Sequence, residues 1–399
     1  MAQAATEQSW DLEADVVIVG SGAAGLPGEP PAVGRARGRP LVGVLASLQG
    51  RRAVVTTLLE VRNVVHEFVV RGAGGVRGGI VHAVSDVSFD LNAGETLGVV
   101  GETGSGKSTL ARCLVQAPRP KSGSVRFQGT ELVGLRGRRL RRARRDMQMV
   151  FQDPFGSLNP RWRIRDIVEE PLIGYGGGST GERRRRVREL LDLVGLNPDV
   201  YGGRHPSQLS GGQCQRVAIA RAIALHPALV VCDEPVSSLD VLIQAQVLNL
   251  LEQLRTELGL SYLFISHDLA LVKQVSDRVA VMHLGQLCEV GPAGSLYRSP
   301  RHPYTVSLLA SIPSLDPSRP RPAGRAVASG EPPSPLNPPS GCRYRTRCPR
   351  AADLCAVERP LLRELGPGHQ VACHFPEPVA GSDVVARTPS SDTASYARP

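Results

Sequence analysis

Three groups of residues in this chain have the types and spacing to handle a polyphosphate. The first is Gly101-Glu-Thr-Gly104-Ser105-Gly106-Lys107-Ser108-Thr109. An apolar run, Leu97-Gly-Val-Val100, precedes it and reads as a buried parallel strand. Thr109-Leu-Ala-Arg-Cys-Leu-Val115 follows and reads as a helix. A strand, a glycine-rich loop and then Lys-Ser at a helix start form the setting of a phosphate-binding loop. There the glycines let backbone N–H groups converge on phosphate oxygens, and the helix N-terminus adds partial positive charge. Lys107 is placed to reach the β- and γ-phosphates, and Ser108 to ligate Mg²⁺. Only three lysines occur in the chain, at 107, 121 and 273, so a lysine at this position is informative.

The second group is Leu229-Val-Val-Cys-Asp233-Glu234. Four apolar residues ending in two carboxylates fit a core strand whose tip emerges in a ligand crevice. Asp233 then belongs to the Mg²⁺ shell, and Glu234 orients or deprotonates an attacking water. The third is Leu209-Ser210-Gly211-Gly212-Gln213, which heads an alanine-rich helical stretch. This is a second helix N-terminus with exposed donors, and a second anion site invites an arrangement of two subunits.

These groups, with Met149-Val-Phe-Gln152-Asp-Pro, Ser238-Leu-Asp240 and Ser266-His267-Asp268, resemble the ATPase subunits of ABC transporters in order and approximate spacing. The resemblance spans about residues 57–376. It implies an α/β P-loop NTPase fold with an antiparallel β lobe, a helical subdomain and a small C-terminal cysteine-containing module. It also implies head-to-tail pairing, with each ATP between one P-loop and the partner's signature run. Lys107, Ser108 and Thr109 would hold phosphates and metal in cis. Gln152 would touch Mg²⁺ and the lytic water and report nucleotide state to the membrane partner. Ser210 and Gly212 would cap the γ-phosphate held by the other subunit, Asp240 would lie at the seam, and His267 would contact the γ-phosphate. Phe68, at the end of the strand-like run from Leu58, is the candidate for stacking on adenine.

Bulk properties agree. A length of 399 residues accommodates about two domains. No window reaches the ~20 apolar residues of a membrane span, so a transport pore is expected on other polypeptides. No basic n-region precedes the one early apolar run. The expected location is the cytoplasmic face of the cell membrane. The net charge of +10 gathers in Arg136–Arg145 and Arg183–Arg188. We read these runs as solvated helix faces in an arginine-biased chain, ahead of contact with anionic headgroups and with nucleic acid last. Soluble ABC ATPases are the rival class. The ribosome-associated type carries two cassettes and the repair type a long coiled coil, and the 108–209 interval shows no sustained heptads.

Ser299-Pro-Arg-His-Pro-Tyr304-Thr, Leu308-Leu-Ala-Ser-Ile-Pro313 and Asp153–Arg161 resemble the oligopeptide/dipeptide importer branch. That branch implies two permease subunits, an identical or paralogous second ATPase and an extracytoplasmic substrate-binding protein. Nickel or sugar importers are close alternatives. Cys113, Cys214, Cys232 and Cys288 read as small apolar core residues. Cys342, Cys348, Cys355 and Cys373 crowd together with five, six and seventeen residues between them, which favours a metal over disulfides in a cytoplasmic chain. Four thiolates suit [4Fe–4S] or Zn²⁺ by count. The absence of CxxC pairs, together with the iron–sulfur cluster some members of the branch carry, favours the cluster.

Asp15-Val-Val-Ile-Val-Gly-Ser-Gly-Ala-Ala-Gly25 looks like the opening of a dinucleotide-binding fold. Leu26-Pro-Gly-Glu-Pro-Pro31 breaks its helix at once, so dinucleotide binding is rejected. The expected organisation is a poorly ordered extension over 1–56, the ATPase over 57–300, the C-terminal extension with its cysteines over 301–376 and a disordered tail over 377–399.

Overall fold

The computed structural model describes residues 56–70, 78–312, 331 and 333–378. The Asp15–Gly25 run, the extension before residue 56, most of the Pro/Ser linker and the tail from 379 lie outside the described residues.

The apolar runs form strands as their patterns require. Alternating β1 (Thr57–Val70) and β2 (Gly79–Asn92) bury one face each, whereas the continuous run of β3 (Thr96–Val100) is buried at all five positions. β4 (Ser122–Phe127), β5 (Thr130–Glu131) and β6 (Met147–Val150) follow. Next come β7 (Leu229–Asp233), β8 (Ser261–Ser266), β9 (Arg278–His283) and β10 (Gln286–Pro292), then β11 (Arg363–Gly366) and β12 (His369–Val371). β7 and β8 are buried along their whole lengths, the pattern of a sheet covered on both faces.

Two sheets result. An antiparallel lobe has the order β2-β1-β4-β5, and the larger sheet runs β11-β12-β10-β9-β3-β8-β7-β6. The pairs β9/β3, β3/β8, β8/β7 and β7/β6 are parallel, so the C-terminal tips of β3 and β7 emerge at the same edge. β12 pairs antiparallel with β10, so residues near the chain's end extend the sheet that carries the P-loop.

One apolar core lies between the antiparallel lobe and one face of the large sheet. It includes Leu59, Val61, Leu91 and Val99, with Leu110 and Leu114 from the helix Lys107–Leu114. The other core joins the opposite face to the helices Ile164–Gly174, Thr180–Leu193 and Gly211–Ile223 through Ile167, Leu190, Leu191, Val217 and Phe264. Full burial of each such aliphatic side chain contributes about 1.5–3 kcal/mol. Those three helices form the helical subdomain expected around the Ser210 run. The arginine-rich stretch at 136–145 is the helix Gly137–Arg145, in which Leu140 alone is buried. Among the described residues no helix is long and apolar enough to cross a membrane.

Candidate functional site

β3 ends at Val100 and the chain turns through Gly101–Gly106 into the helix that begins at Lys107. The turn demands glycine at 106. Its φ is 102°, and a Cβ there would sit 2.1 Å from the carbonyl oxygen of Ala83. Lys107 folds back over the loop, and its Nζ donates to the carbonyls of Gly101 at 2.7 Å and Glu102 at 3.0 Å. Burial holds its ammonium below the ordinary lysine pKa, against the pull of Glu234, Asp233 and Glu102.

The tip of β7 brings the acids to the same place. Ser108 Oγ donates to Asp233 Oδ1 at 2.7 Å. Asp233 is fully buried, and burial raises its pKa while the Ser108 hydroxyl opposes the rise. Its Oδ2 has no hydrogen-bond partner among the described residues, with Arg112 4.0 Å away. A hydroxyl beside an under-satisfied buried carboxylate is a donor set that fits Mg²⁺.

Glu234 follows with φ 48°, a left-handed conformation rarely held by a non-glycine residue outside functional turns. Its Oε2 accepts from Gln152 Nε2 at 3.0 Å and lies 3.2 Å from His267 Nδ1. One carboxylate oxygen thus gathers the residues that follow β6, β7 and β8. A cavity of about 490 Å³ opens here, lined by Phe68, Val81, Ala83, Thr103, Gly104, Gly106, Lys107, Ser108, Thr109, Gln152, Glu234, His267 and Pro335. Phe68 is 43 % exposed and meets His66 edge-on. Gly101 and Ser105 shape the loop: the Ser105 N–H donates to the Glu102 carbonyl at 3.1 Å.

The Ser210 run lies elsewhere. Ser210 caps the helix Gly211–Ile223 in a reciprocal box: its Oγ accepts from Gln213 N at 3.3 Å, and Gln213 Oε1 accepts from Ser210 N at 3.0 Å. Asp240 likewise caps the helix Val241–Leu258, accepting from Ile243 N at 3.0 Å. The two helix starts abut, since a Cβ on Gly212 would stand 2.4 Å from Ile243 Cγ2. Ser210, Gly211, Gly212, Gln213 and Asp240 do not line the cavity beside Lys107.

The four cysteines expected to hold a metal, Cys342, Cys348, Cys355 and Cys373, all lie among the described residues. The four thiols are neighbours: burial raises the pKa values of Cys342, Cys348 and Cys373, the last up to about 12, and nearby thiols add to the rise. Yet among the described residues no group of three or more His, Cys, Asp or Glu is disposed to hold a metal ion. Backbone N–H groups hydrogen-bond three of the thiols: those of Tyr344 and Arg345 at Cys342, Arg350 at Cys348 and Phe375 at Cys373. Cys342 N donates to the Cys355 carbonyl at 2.8 Å, and Cys342 and Cys348 pack against the larger apolar core. Cys113, Cys214, Cys232 and Cys288 are buried, as expected of apolar core residues.

Sequence reasoning missed Pro335, which reaches the cavity wall because its carbonyl accepts from His82 N on β2 at 3.1 Å. It also missed Tyr304 and Arg347, which both contact Glu102 of the P-loop. Tyr304 lies in the run Ser299-Pro-Arg-His-Pro-Tyr304-Thr noted above, but nothing local assigns any of the three to the loop, and only the fold brings them there.

Known proteins resemble this chain along most of its length. The family model described as ABC transporter matches residues 84–237, and that of the oligopeptide/dipeptide transporter C-terminal region matches 288–355. The oligopeptide transport ATP-binding protein AppF of Bacillus subtilis is 48% identical over 321 residues, covering 80% of this chain and 97% of its own. YkfD of the same strain, provisionally named for the same role, is 51% identical over 296 residues, 74% of this chain and 90% of its own. Among solved structures, the dimeric post-hydrolysis cassette MJ0796 bound to ADP and Pi superposes with a TM-score of 0.53 at 30% identity. It covers 59% of this chain and 99% of its own.

Proposed function

The chain belongs to the ATP-binding subunits of ABC transporters, in the oligopeptide and dipeptide branch, and from that premise we propose how its residues couple ATP hydrolysis to import. It is an ATPase, and it powers peptide import. The observation that carries the mechanism is the convergence of Gln152 and His267 on one oxygen of Glu234, in the cavity that holds Lys107.

In this mechanism Phe68 stacks on adenine and the backbone of Gly101–Gly106 receives the phosphates. Lys107 leaves the Gly101 and Glu102 carbonyls for the β- and γ-phosphate oxygens. Ser108, Asp233 and Gln152 would hold Mg²⁺, which would offset phosphate charge, and Thr109 would complete the cradle. Glu234 accepts a proton from the attacking water as its oxygen bonds to the γ-phosphorus and the β–γ bridge breaks. Gln152 and His267 keep that carboxylate aimed, with His267 also facing the γ-phosphate. Ser210, Gly211, Gly212 and Gln213 of a partner subunit close over the γ-phosphate, with Asp240 at the seam. The gain comes from positioning and electrostatics rather than covalent chemistry.

The partners in this reading are a second ATPase subunit, two membrane permeases and an extracytoplasmic substrate-binding protein, with the chain on the cytoplasmic face. Phe151 and Phe155, exposed on either side of Gln152, support a contact that senses the Mg²⁺ ligand's position. We read 57–300 as the ATPase domain and 301–376 as an extension docked upon it, a reading supported by the pairing of β12 with β10.

The finer reading of the cysteines is a [4Fe–4S] cluster at Cys342, Cys348, Cys355 and Cys373, supported by an all-thiol set of mutual neighbours. Iron and acid-labile sulfide after anaerobic purification, lost in Cys342→Ser, are the expected result. Zinc or no metal contradicts it.

The function is tested by reconstituting the chain with its permeases and binding protein in vesicles and following labelled di- and oligopeptides. ATP-dependent peptide uptake that stimulates hydrolysis is expected. Stimulation by nickel or a sugar, with none by peptide, would overturn the peptide assignment.

A further inference from the structure

The P-loop is gripped from outside the phosphate-binding motif. The Arg347 guanidinium clasps Glu102 through both arms, Nη1 to Oε2 at 2.9 Å and Nη2 to Oε1 at 3.0 Å. This bidentate pair spans 245 residues, and the Arg347 side chain is only 9 % exposed. Such paired, shielded contacts are the strong, directional kind. Glu102 is held at its backbone as well, where its N–H donates to Tyr304 Oη at 3.0 Å. Tyr304 is itself buried against His283, with ring centroids 4.4 Å apart.

A second tether leaves the same turn. Arg343 donates to the carbonyl of Leu284, and the next residue, Gly285, donates its N–H to the Ser105 carbonyl at 2.8 Å. Arg347 N donates to the Tyr344 carbonyl at 3.0 Å, which folds Arg343 and Arg347 into one turn. That turn therefore reaches Glu102 directly and Ser105 through Leu284 and Gly285. The consequence falls on Lys107, because the Glu102 carbonyl is one of the two that hold its Nζ.

We propose that Arg347 is a positioning residue of the P-loop, which by clasping Glu102 preorganises the loop and Lys107 and so sets the affinity for nucleoside triphosphate. The inference rests on the reading of Gly101–Thr109 as the triphosphate site. Arg347 does not line the cavity beside Lys107. It acts through Glu102, so its loss falls on binding rather than on the hydrolytic step.

The test uses the purified full-length chain, a fluorescent ATP analogue for affinity and steady-state ATPase kinetics. Arg347→Ala is expected to raise both Kd and KM about tenfold, the scale of a lost charge-assisted pair, with kcat changing less than about twofold. Glu102→Gln should show the same split, and the double variant should be no worse than either single one. Arg347→Lys, which keeps the charge but not the fork, should fall between wild type and Arg347→Ala. Should Arg347→Ala fail to fold, Tyr304→Phe removes only the hydroxyl facing Glu102 N and should give the same split in smaller measure. Wild-type affinity in Arg347→Ala, or additive losses in the double variant, would overturn the inference. Lys107→Ala is the control: undiminished binding there overturns the site reading itself, whereas lost binding there beside a normal Arg347→Ala overturns the inference alone.

Discussion

Ser108 Oγ and Asp233 Oδ1 are 2.7 Å apart although 125 residues separate them in sequence. The contact exists because β3 and β7 both flank β8 in parallel, so the loop after one strand and the acid ending the other meet at one edge. Among the described residues the second Asp233 oxygen has no hydrogen-bond partner, and burial raises the pKa of the carboxyl. A buried carboxylate in that condition gains by acquiring a cation. Asp233→Asn is therefore expected to remove the Mg²⁺ dependence of ATP affinity and to lower hydrolysis by about 100-fold or more. Titrations of nucleotide with and without Mg²⁺ check this, and an unchanged Mg²⁺ dependence would take Asp233 out of the metal shell.

The Ser210 run should act on another subunit's nucleotide. Ser210→Arg places a long cation where the helix cap stands, and in this account its own P-loop is untouched. ATP affinity of the monomer should stay within about twofold of wild type, while hydrolysis falls about 100-fold. Equilibrium binding at low protein concentration, set beside ATPase rates, separates the two. Loss of monomer binding would place the run in the cis site.

Acid should weaken the joint between the sheet and the C-terminal segment. His302 is 2 % exposed, and burial lowers its pKa from 6.5 to about 4, against the opposing pull of Glu289. His283 is lowered to about 3, again chiefly by burial. The unfolded chain binds protons on these groups below about pH 6.5 and the folded chain does not, so stability falls as pH drops from 6.5 toward 4. Each group contributes roughly 3 kcal/mol to that loss by pH 4. His302→Asn keeps a side chain able to cap Tyr304 N and should flatten the pH dependence of urea denaturation. An unchanged slope would show that His302 is not the group concerned.

Much of the site was legible because its signals are local. Gly101–Ser108 and Leu229–Glu234 each combine a strand with the chemistry at its tip, and parallel pairing around β8 then joins them without further instruction. Ser210 was legible as a helix start, and its capping bonds bear that out; that Asp240 caps the next helix was not. What was hidden depends on distant partners. Arg347 meets Glu102 and Pro335 reaches β2 because the C-terminal segment folds back along the ATPase, where β12 extends the sheet. Neither an arginine in an arginine-rich chain nor a proline in a proline-rich stretch carries a local signal. The cysteines show the reverse case: their clustering was legible, but their spacing does not specify how the thiols are held.

The central claim is that Glu234 deprotonates the water that attacks ATP at the interface of two subunits. The most direct measurement follows Glu234→Gln with MgATP, recording molar mass by light scattering, retained nucleotide and phosphate release. The partner ATPase is present if the chain does not pair with itself. The account predicts a stable dimer holding intact ATP, with hydrolysis at least about 100-fold below wild type. Phosphate release at the wild-type rate would contradict it and remove Glu234 from the base role.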